Sequence, residues 1–245
     1  MKIGVAITTF GAIDPIVYHN HLSVLLHWKT LFDLSVYHIQ DTQQESSLNT
    51  MVEAAMNDKC DFIFFMEHDN IYQKTTLPDL LKHDLDVVTG HYTFRNWPFA
   101  PIPLLRHDNG LLYRYEFVAG DPTVPALHEI TIGCFGCCLV KMHVMRDLFN
   151  KRLIFRREYN KKDEATLTPD CVFFADLAKE GYKSFVDGHV EIGHLGQRLV
   201  ITPTNFRIYR EFMQLLNPEI VAPHERLPQD KAEEIINFLL EKHHD

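Results

Sequence analysis

The chain is poor in cationic side chains and in cysteine, and each shortage excludes a class of protein. Lys and Arg number 24 against 33 Asp and Glu, which gives a formal net charge of -9 at pH 7. Since affinity for nucleic acids comes mainly from cationic side chains, a nucleic-acid partner is disfavoured, although a local basic strip would still permit one. Cys134 and Cys137 form a single CxxC pair beside Cys138. A structural zinc site usually needs two such pairs, so we interpret these thiols as buried small residues on a strand.

Long apolar segments are also missing. No stretch approaches the roughly 18 apolar residues that a membrane-spanning helix needs. The opening MKIGVAITTF is short and is followed by no small-residue cleavage site, so it predicts a strand rather than a signal peptide. The expected location is therefore the cytoplasm. With 46% hydrophobic and 23% charged residues, the 245-residue chain has the composition of a globular domain with a large core.

The first third of the chain alternates apolar runs with helical spacing. This alternation predicts an α/β fold with a doubly wound sheet. The predicted strands are Lys2–Thr9, Leu34–Ile39 and Asp61–Met66, the last buried on both faces as in a parallel sheet, and a helix capped by Ser46 and Ser47 is expected to run to about Asn57.

Fewer helices are expected after Asp69, so the second part should add mixed or antiparallel strands to the same sheet. The expected elements are strands over 86–94, 111–118, 128–140 and 183–186, a helix opening at Thr168-Pro169 and ending at Gly181, and an amphipathic helix over 230–242. We expect one domain over residues 1–197, with a helical C-terminal extension over 198–245 packed on it.

Three features fall where strands should end, which is where ligands gather in parallel α/β sheets. The first is Glu67-His68-Asp69. On an extended chain the two carboxylates point to the same side and could hold a divalent cation that also carries phosphate oxygens. The alternative is that acidic residues simply cap the end of a strand, as in many proteins.

The second feature is Asp170, in the first turn of the helix that opens at Thr168-Pro169. The helix partial charge stabilises a carboxylate there, so Asp170 could accept a proton from a hydroxyl, or could only complement the helix dipole. The third is His194, between Gly193 and Gly196 in an expected loop. Neutral imidazole is a common ligand of manganese-type ions, although most of the 15 histidines must have ordinary roles.

The order of these features resembles a known family. A strand ending in Thr8-Thr9-Phe10 is followed by Asp41 after the second strand, the acidic triplet, a glycine-containing strand and the segment TPDCVFFADLAKEGYKSFVDGHVEIGHLG (168–196). Over residues 1–197 this order resembles the GT-A fold glycosyltransferases, most of all glycosyltransferase family 2. The resemblance implies a Rossmann-like, mixed but mainly parallel sheet flanked by helices.

The resemblance also implies a role for each matching residue in a metal-dependent, inverting transfer of a sugar from a nucleotide-sugar donor. Asp69 and His194 would bind the divalent metal, with Mn²⁺ favoured over Mg²⁺, and Asp170 would be the general base. The implied donor site comprises Thr8, Thr9, Phe10 and Asp41 around the base, Glu67 at the metal or sugar, and Arg95 at the diphosphate or acceptor.

Departures from the family pattern leave alternatives open. The triplet is EHD rather than DxD, and Pro169 replaces the usual Glu before Asp170, so a retaining mechanism or a catalytically degenerate glycan-binding or sugar-nucleotide-binding module stays possible. His189 and Glu191 could substitute in the metal shell, and Trp97 could stack on a sugar. A sugar-nucleotide pyrophosphorylase is disfavoured because it needs a glycine-rich phosphate loop after the first strand, where this chain has one glycine.

The sequence determines the identities of the donor and the acceptor less well. A uridine diphosphate sugar ranks before a guanosine diphosphate sugar, and the acceptor could be a glycan, a protein, a lipid-linked sugar or a modified nucleobase.

Overall fold

The structure, a computed structural model, describes residues 1–40, 42–96, 99–106, 112–115, 117, 125–152, 155–159, 165–196 and 200–203. Asp41, Trp97 and the expected helix over 230–242 lie outside the described residues, as does nearly all of the expected C-terminal extension. The boundary between domain and extension therefore stays a prediction.

The described elements alternate strands and helices through the first third of the chain, as expected. The helices are α1 (Pro15–Leu31), α2 (Gln44–Asn57), α3 (Thr76–Leu81), α4 (Met142–Asn150) and α5 (Pro169–Lys179). The strands are β1 (Lys2–Thr9), β2 (Asp33–Gln40), β3 (Phe62–Glu67), β4 (Asn70–Ile71), β5 (Val87–His91), β6 (Leu104–Arg106), β7 (Leu112–Arg114), β8 (Leu127–Ile130), β9 (Cys137–Lys141), β10 (Glu158–Tyr159), β11 (Ala165–Leu167), β12 (Ser184–Glu191), β13 (Gly193–Leu195) and β14 (Val200–Ile201).

Seven strands form the central sheet, in the order β2-β1-β3-β9-β5-β12-β8. β1 is parallel to β2 and to β3, and β5 is parallel to β12, while β9 and β8 run antiparallel to their neighbours. The predicted fold class, a mixed and mainly parallel sheet flanked by helices, is confirmed. β3 is an interior strand with two covered faces, as its apolar run predicts, although of its two neighbours β1 is parallel and β9 antiparallel.

The core fills both faces of this sheet. Trp28 of α1 packs edge-on against Phe64 of β3 on one face, together with side chains of α3. On the other face Phe65 packs against Phe135, with side chains from α2, α4 and α5 around them. Burial of each such side chain contributes about 2 kcal/mol, which explains why β3 is apolar on both faces.

Three local predictions were wrong. Residues 128–140 are two strands, β8 and β9, separated by a loop over 131–136. Helix α2 begins at Gln44 rather than after Ser47, whose hydroxyl donates to the Gln43 carbonyl from within the first turn. The expected strand over 183–186 continues to Glu191, and His194 lies in strand β13 rather than in a loop.

Among the described helices, none has the length and apolar character needed to cross a membrane.

Candidate functional site

The carboxyl ends of β1, β2, β3 and β5 lie along one edge of the sheet, and most of the described candidate residues lie at this edge. Thr8 and Thr9 are buried at the end of β1, and the Thr9 hydroxyl is 2.7 Å from Nε2 of His38 on β2. Phe10 is 45% exposed, and its ring meets the His68 ring edge-on at 6.1 Å. An exposed aromatic ring beside buried hydroxyls suits contact with a planar base.

The acidic triplet does not continue the strand as an extended segment. β3 ends at Glu67, and residues 68–69 form a turn before β4. The two carboxylates consequently have different neighbours. Asp69 contacts Arg95 and His194, whereas Glu67 is influenced most strongly by Asp170 among the charged groups around it.

Pairing of β13 with β4 brings His194 to Asp69 although 125 positions separate them. His194 lies opposite Asn70 in this pairing, and the Leu195 N–H donates to the Asp69 carbonyl at 2.7 Å. In this position Nε2 of His194 is 3.3 Å from Oδ2 of Asp69. The register of a two-residue strand thus places the imidazole against the carboxylate.

The hydrogen bond at Nδ1 determines what Nε2 of His194 can do. Nδ1 is 2.8 Å from the carbonyl oxygen of Thr93, and a carbonyl only accepts, so Nδ1 carries the proton. In the neutral ring Nε2 then has a free lone pair, which faces a carboxylate oxygen. Two acceptors at this distance need a cation or a proton between them, and a histidine fixed through Nδ1 to a carbonyl is the usual arrangement of a metal ligand.

Electrostatics keep Asp69 ionised. Burial alone would raise its pKa, but the hydrogen bond and charge of His194, with His68 and Arg95, outweigh burial and lower the pKa below its ordinary value. When the His194 ring is neutral, its Nε2 lone pair faces this carboxylate, and the two together fit a Mn²⁺-type ion in the place of the proton. Among the residues that the structure describes, no three His, Cys, Asp or Glu side chains converge as a complete metal site.

Glu67 and Asp170 form a second acidic pair at the same edge. Burial raises the pKa of Glu67 well above its ordinary value, and the nearby charges of Asp170 and Asp69 raise it further. Burial also raises the pKa of Asp170, to about 6, but N–H groups of Asp170 and Phe135 and the charge of Arg157 limit the rise. Of the two carboxyls, Glu67 is the one whose negative charge is further disfavoured by its acidic neighbours, because the charges of Asp170 and Asp69 raise its pKa in addition to burial.

Helix α5 explains the position of Asp170. Pro169 is its first residue, Thr168 has the extended conformation of an N-cap, and Gly181 follows the end of the helix with a φ of +82°. Asp170 lies in the first turn, where N–H groups and the helix dipole favour a negative charge. The predicted start and end of this helix are confirmed, although the Thr168 side chain makes no capping hydrogen bond.

The loop over 131–136 carries the Phe135 N–H to Asp170, and hydrogen bonds to Gly136 hold this loop. The Gly136 N–H donates to the Tyr92 hydroxyl at 2.9 Å. The Gly136 carbonyl accepts from Nδ2 of Asn70 at 3.0 Å and from the Tyr72 hydroxyl. Both polar groups of this buried peptide are thus paired with side chains, which explains why the chain leaves the sheet here.

Three residues at the site were not predicted from the sequence, and one predicted residue, His189, has contacts other than those expected. His38, Thr93 and Phe135 were not predicted; His38 could have been found as a polar residue near the carboxyl end of β2. The other two act through backbone atoms, which no side-chain pattern reveals. Exposed His189 packs against Phe117 with ring centroids 4.8 Å apart.

All five cysteines are free thiols. Cys137 and Cys138 are buried on β9, as expected, but Cys134 lies in the loop over 131–136 rather than on a strand.

Comparisons with known proteins support the fold. A197 from STIV has 14% sequence identity and a TM-score of 0.51, over 83% of this chain and 91% of that protein. S. aureus TarS 1-349 has 14% identity and a TM-score of 0.43, over 99% of this chain and 72% of that protein, a likeness too low to carry an argument. No protein-family model matches the chain, and no curated protein matches it in sequence. The comparison with A197 therefore supports the architecture alone.

Proposed function

We propose that the protein is a metal-dependent glycosyltransferase that moves a sugar from a nucleotide-sugar donor to an acceptor hydroxyl with inversion. The observation that carries the proposal is the contact between Nε2 of His194 and Oδ2 of Asp69, 3.3 Å apart. The Thr93 carbonyl accepts a hydrogen bond from the other ring nitrogen, Nδ1, so the lone pair of Nε2 and the Asp69 carboxylate would face the same cation. Glu67 is influenced by the charges of both Asp69 and Asp170, so this site lies near the acidic pair.

Asp170 would act as the general base. It would take the proton from the acceptor hydroxyl while the acceptor oxygen forms a bond to the anomeric carbon of the sugar. The bond from that carbon to the diphosphate breaks, and the nucleoside diphosphate leaves with the electron pair. Asp170 is suited to this step because its pKa of about 6 leaves it ionised but still basic near pH 7.

Glu67 would hold the donor sugar. Burial and the charges of Asp170 and Asp69 raise the pKa of Glu67, which favours the protonated carboxyl, and in that form it can donate a hydrogen bond to a sugar hydroxyl. A divalent ion bound by Asp69 and His194 would offset the charge on the leaving diphosphate.

The nucleotide base would lie against Phe10, near buried Thr9 and exposed His38. Partial exposure of Phe10 supports this placement, because a stacking ring must be accessible before the ligand binds. We propose a uridine diphosphate sugar first and a guanosine diphosphate sugar second; the acceptor and the cytoplasmic location stay predictions.

Ligand binding tests the proposal directly. Thermal unfolding would be followed with UDP, GDP and other nucleoside diphosphates, each with Mn²⁺ and with a chelator, because a ligand that binds only the folded state raises the midpoint. We expect one nucleotide to raise the midpoint in the presence of Mn²⁺ alone. The shift should be abolished in Asp69→Asn and in His194→Ala. The matched controls are Asp86→Asn and His143→Ala, whose sites lie at the opposite edge of the sheet, just before β5 and on α4. Both controls should keep the shift.

Turnover then separates an enzyme from a binding module. Asp170→Asn should abolish release of the nucleoside diphosphate from the donor sugar nucleotide while keeping nucleotide binding. An unchanged rate in Asp170→Asn would contradict its role as base. The absence of a shift with every nucleotide would contradict the donor site itself.

A further inference from the structure

Nitrogen atoms of two side chains meet one oxygen atom of Asp69. Nη1 of Arg95 is 2.5 Å from Oδ2, and Nε2 of His194 is 3.3 Å from the same Oδ2. A divalent ion bound by His194 and this oxygen would have to share Oδ2 with the guanidinium group. Because like charges repel, the ion and Arg95 would compete for Asp69.

The Arg95 side chain is free to change partner while its backbone is held. Thr93 forms an isolated antiparallel β-bridge with Pro101, and the Phe94 N–H donates to the Ala100 carbonyl at 2.9 Å. The backbone on the amino side of Arg95 is therefore anchored. The Arg95 side chain is 47% exposed, whereas that of Asp69 is 14% exposed. Rotation of the long arginine side chain would move its charge away from Asp69 without moving the backbone.

We propose that Arg95 has two successive partners, occupying Asp69 before a divalent ion binds and moving to the donor diphosphate when the ion takes its place. The inference rests on the proposed function and adds to it a link between metal binding and donor binding. The guanidinium group has five N–H donors in a planar fork, which suits the two oxygens of a phosphate. The charges present favour the exchange, since the incoming ion repels Arg95 and the diphosphate attracts it.

Neutralising Arg95 therefore has opposite effects on the two ligands. Arg95→Met keeps the aliphatic stem and removes the competing charge. We expect Mn²⁺ to bind the nucleotide-free variant roughly threefold to tenfold more tightly than the wild type, the range for a partly exposed charged pair. With saturating Mn²⁺, we expect the same variant to bind UDP or GDP about tenfold more weakly, because charge-assisted hydrogen bonds to phosphate are lost.

The experiment is a Mn²⁺ titration followed by paramagnetic resonance of the free ion, and then calorimetric titration with UDP and with GDP. Wild type, Arg95→Met, Arg95→Lys and Asp69→Asn are compared, with ligand-free thermal unfolding as the check on folding. Lys183→Met is the matched control, because it removes one positive charge just before the amino end of β12, away from the carboxyl edge. Arg95→Lys should keep the wild-type Mn²⁺ affinity but lose part of the nucleotide affinity, since an ammonium group lacks the fork.

The outcomes separate the inference from the proposed function. The exchange is supported if Arg95→Met binds Mn²⁺ more tightly and the nucleotide more weakly than the wild type, and if Lys183→Met shows neither change. If Arg95→Met leaves either affinity at the wild-type value while Asp69→Asn abolishes Mn²⁺ binding, the exchange is wrong and the proposed metal site stands. If neither wild type nor Arg95→Met binds Mn²⁺ or a nucleotide, both proposals are overturned. An equal gain in Mn²⁺ affinity in Lys183→Met would also overturn the exchange, because net charge would explain it.

Discussion

The Asn20 side chain makes two hydrogen bonds of 2.8 Å with the backbone of Tyr72, one to the carbonyl and one from the N–H. Tyr72 directly follows β4, the strand that pairs with β13 and so positions His194. Asn49 makes the same double contact with Phe155, at 2.9 and 3.0 Å. Two asparagines on different helices thus hold two different segments, of which only the one at Tyr72 adjoins Asp69.

Replacing these asparagines should separate stability from metal binding. Each of Asn20→Ala and Asn49→Ala removes the partners of one backbone N–H and one carbonyl, so we expect each to lower the free energy of unfolding by about 1–3 kcal/mol. Only Asn20→Ala should also weaken Mn²⁺ binding, because it frees the segment beside Asp69. Urea unfolding and Mn²⁺ titration of both variants check this, and equal Mn²⁺ affinities would contradict it.

A side chain at Gly136 should disturb the loop over 131–136. A Cβ at this position would overlap Nδ2 of Asn70 and the hydroxyl of Tyr92, both of which hold the Gly136 peptide. We expect Gly136→Ala to lower the free energy of unfolding by about 1–3 kcal/mol and to reduce donor turnover at least tenfold, since the loop carries the Phe135 N–H to Asp170.

Gly181→Ala is the matched control for Gly136→Ala. Nothing lies within 4 Å of a Cβ at Gly181, and only the φ of +82° opposes the substitution. It should cost about 1 kcal/mol of stability and leave turnover unchanged. Equal losses of turnover in the two variants would show that general destabilisation explains the effect.

Turnover should depend on pH through Asp170. Because the pKa of this carboxyl is raised to about 6, the base is ionised above pH 6 and protonated below it. We expect turnover to be nearly constant from pH 7 to 8 and to fall roughly tenfold per pH unit below pH 6. A rate profile of donor turnover from pH 4.5 to 8 measures this dependence.

Glu67→Gln tests which carboxyl controls that profile. Glutamine imitates the protonated form that the raised pKa of Glu67 favours, so the fall should stay near pH 6 even if the maximum rate changes. A fall that disappears in Glu67→Gln would assign the titration to Glu67 instead of Asp170.

Protonation of His21 should destabilise the fold in weak acid. Burial lowers the pKa of His21 from 6.5 to about 4, partly offset by the hydrogen bond that Nε2 donates to the Asn70 carbonyl; His68 and His38 lower it further and Asp69 raises it. The unfolded chain binds this proton below pH 6.5 and the folded protein only near pH 4. Stability from this group is therefore present above pH 6.5 and is lost as the pH falls, by about 2 kcal/mol at pH 5.

Urea unfolding at pH 7.5 and pH 5 checks the effect of His21. In His21→Gln, which can still donate to Asn70, the loss of stability between the two pH values should be smaller by about 2 kcal/mol. His143→Gln, on an exposed side chain, should keep the wild-type pH dependence. The same loss in His21→Gln as in the wild type would contradict the prediction.

Local signals predicted much of the fold. The apolar runs over β1 and β3 have the length and composition of buried strands, and Pro169 and Gly181 mark the two ends of α5 through their own backbone preferences. The division of 128–140 into β8 and β9 was not predictable, because it depends on the distant hydroxyls of Tyr72 and Tyr92 that hold Gly136.

The candidate site, like the fold, was predicted from the sequence only in part. The sequence by itself determined which residues stand at strand and helix ends, including Asp69, Asp170 and the segment that carries His194, since periodicity and capping act over a few neighbouring residues. Only the tertiary structure decided that His194 and Arg95 meet one oxygen of Asp69 and that Glu67 belongs with Asp170. Contacts across 125 positions depend on strand pairing, and pKa values depend on burial and neighbouring charge, and neither is written in local sequence.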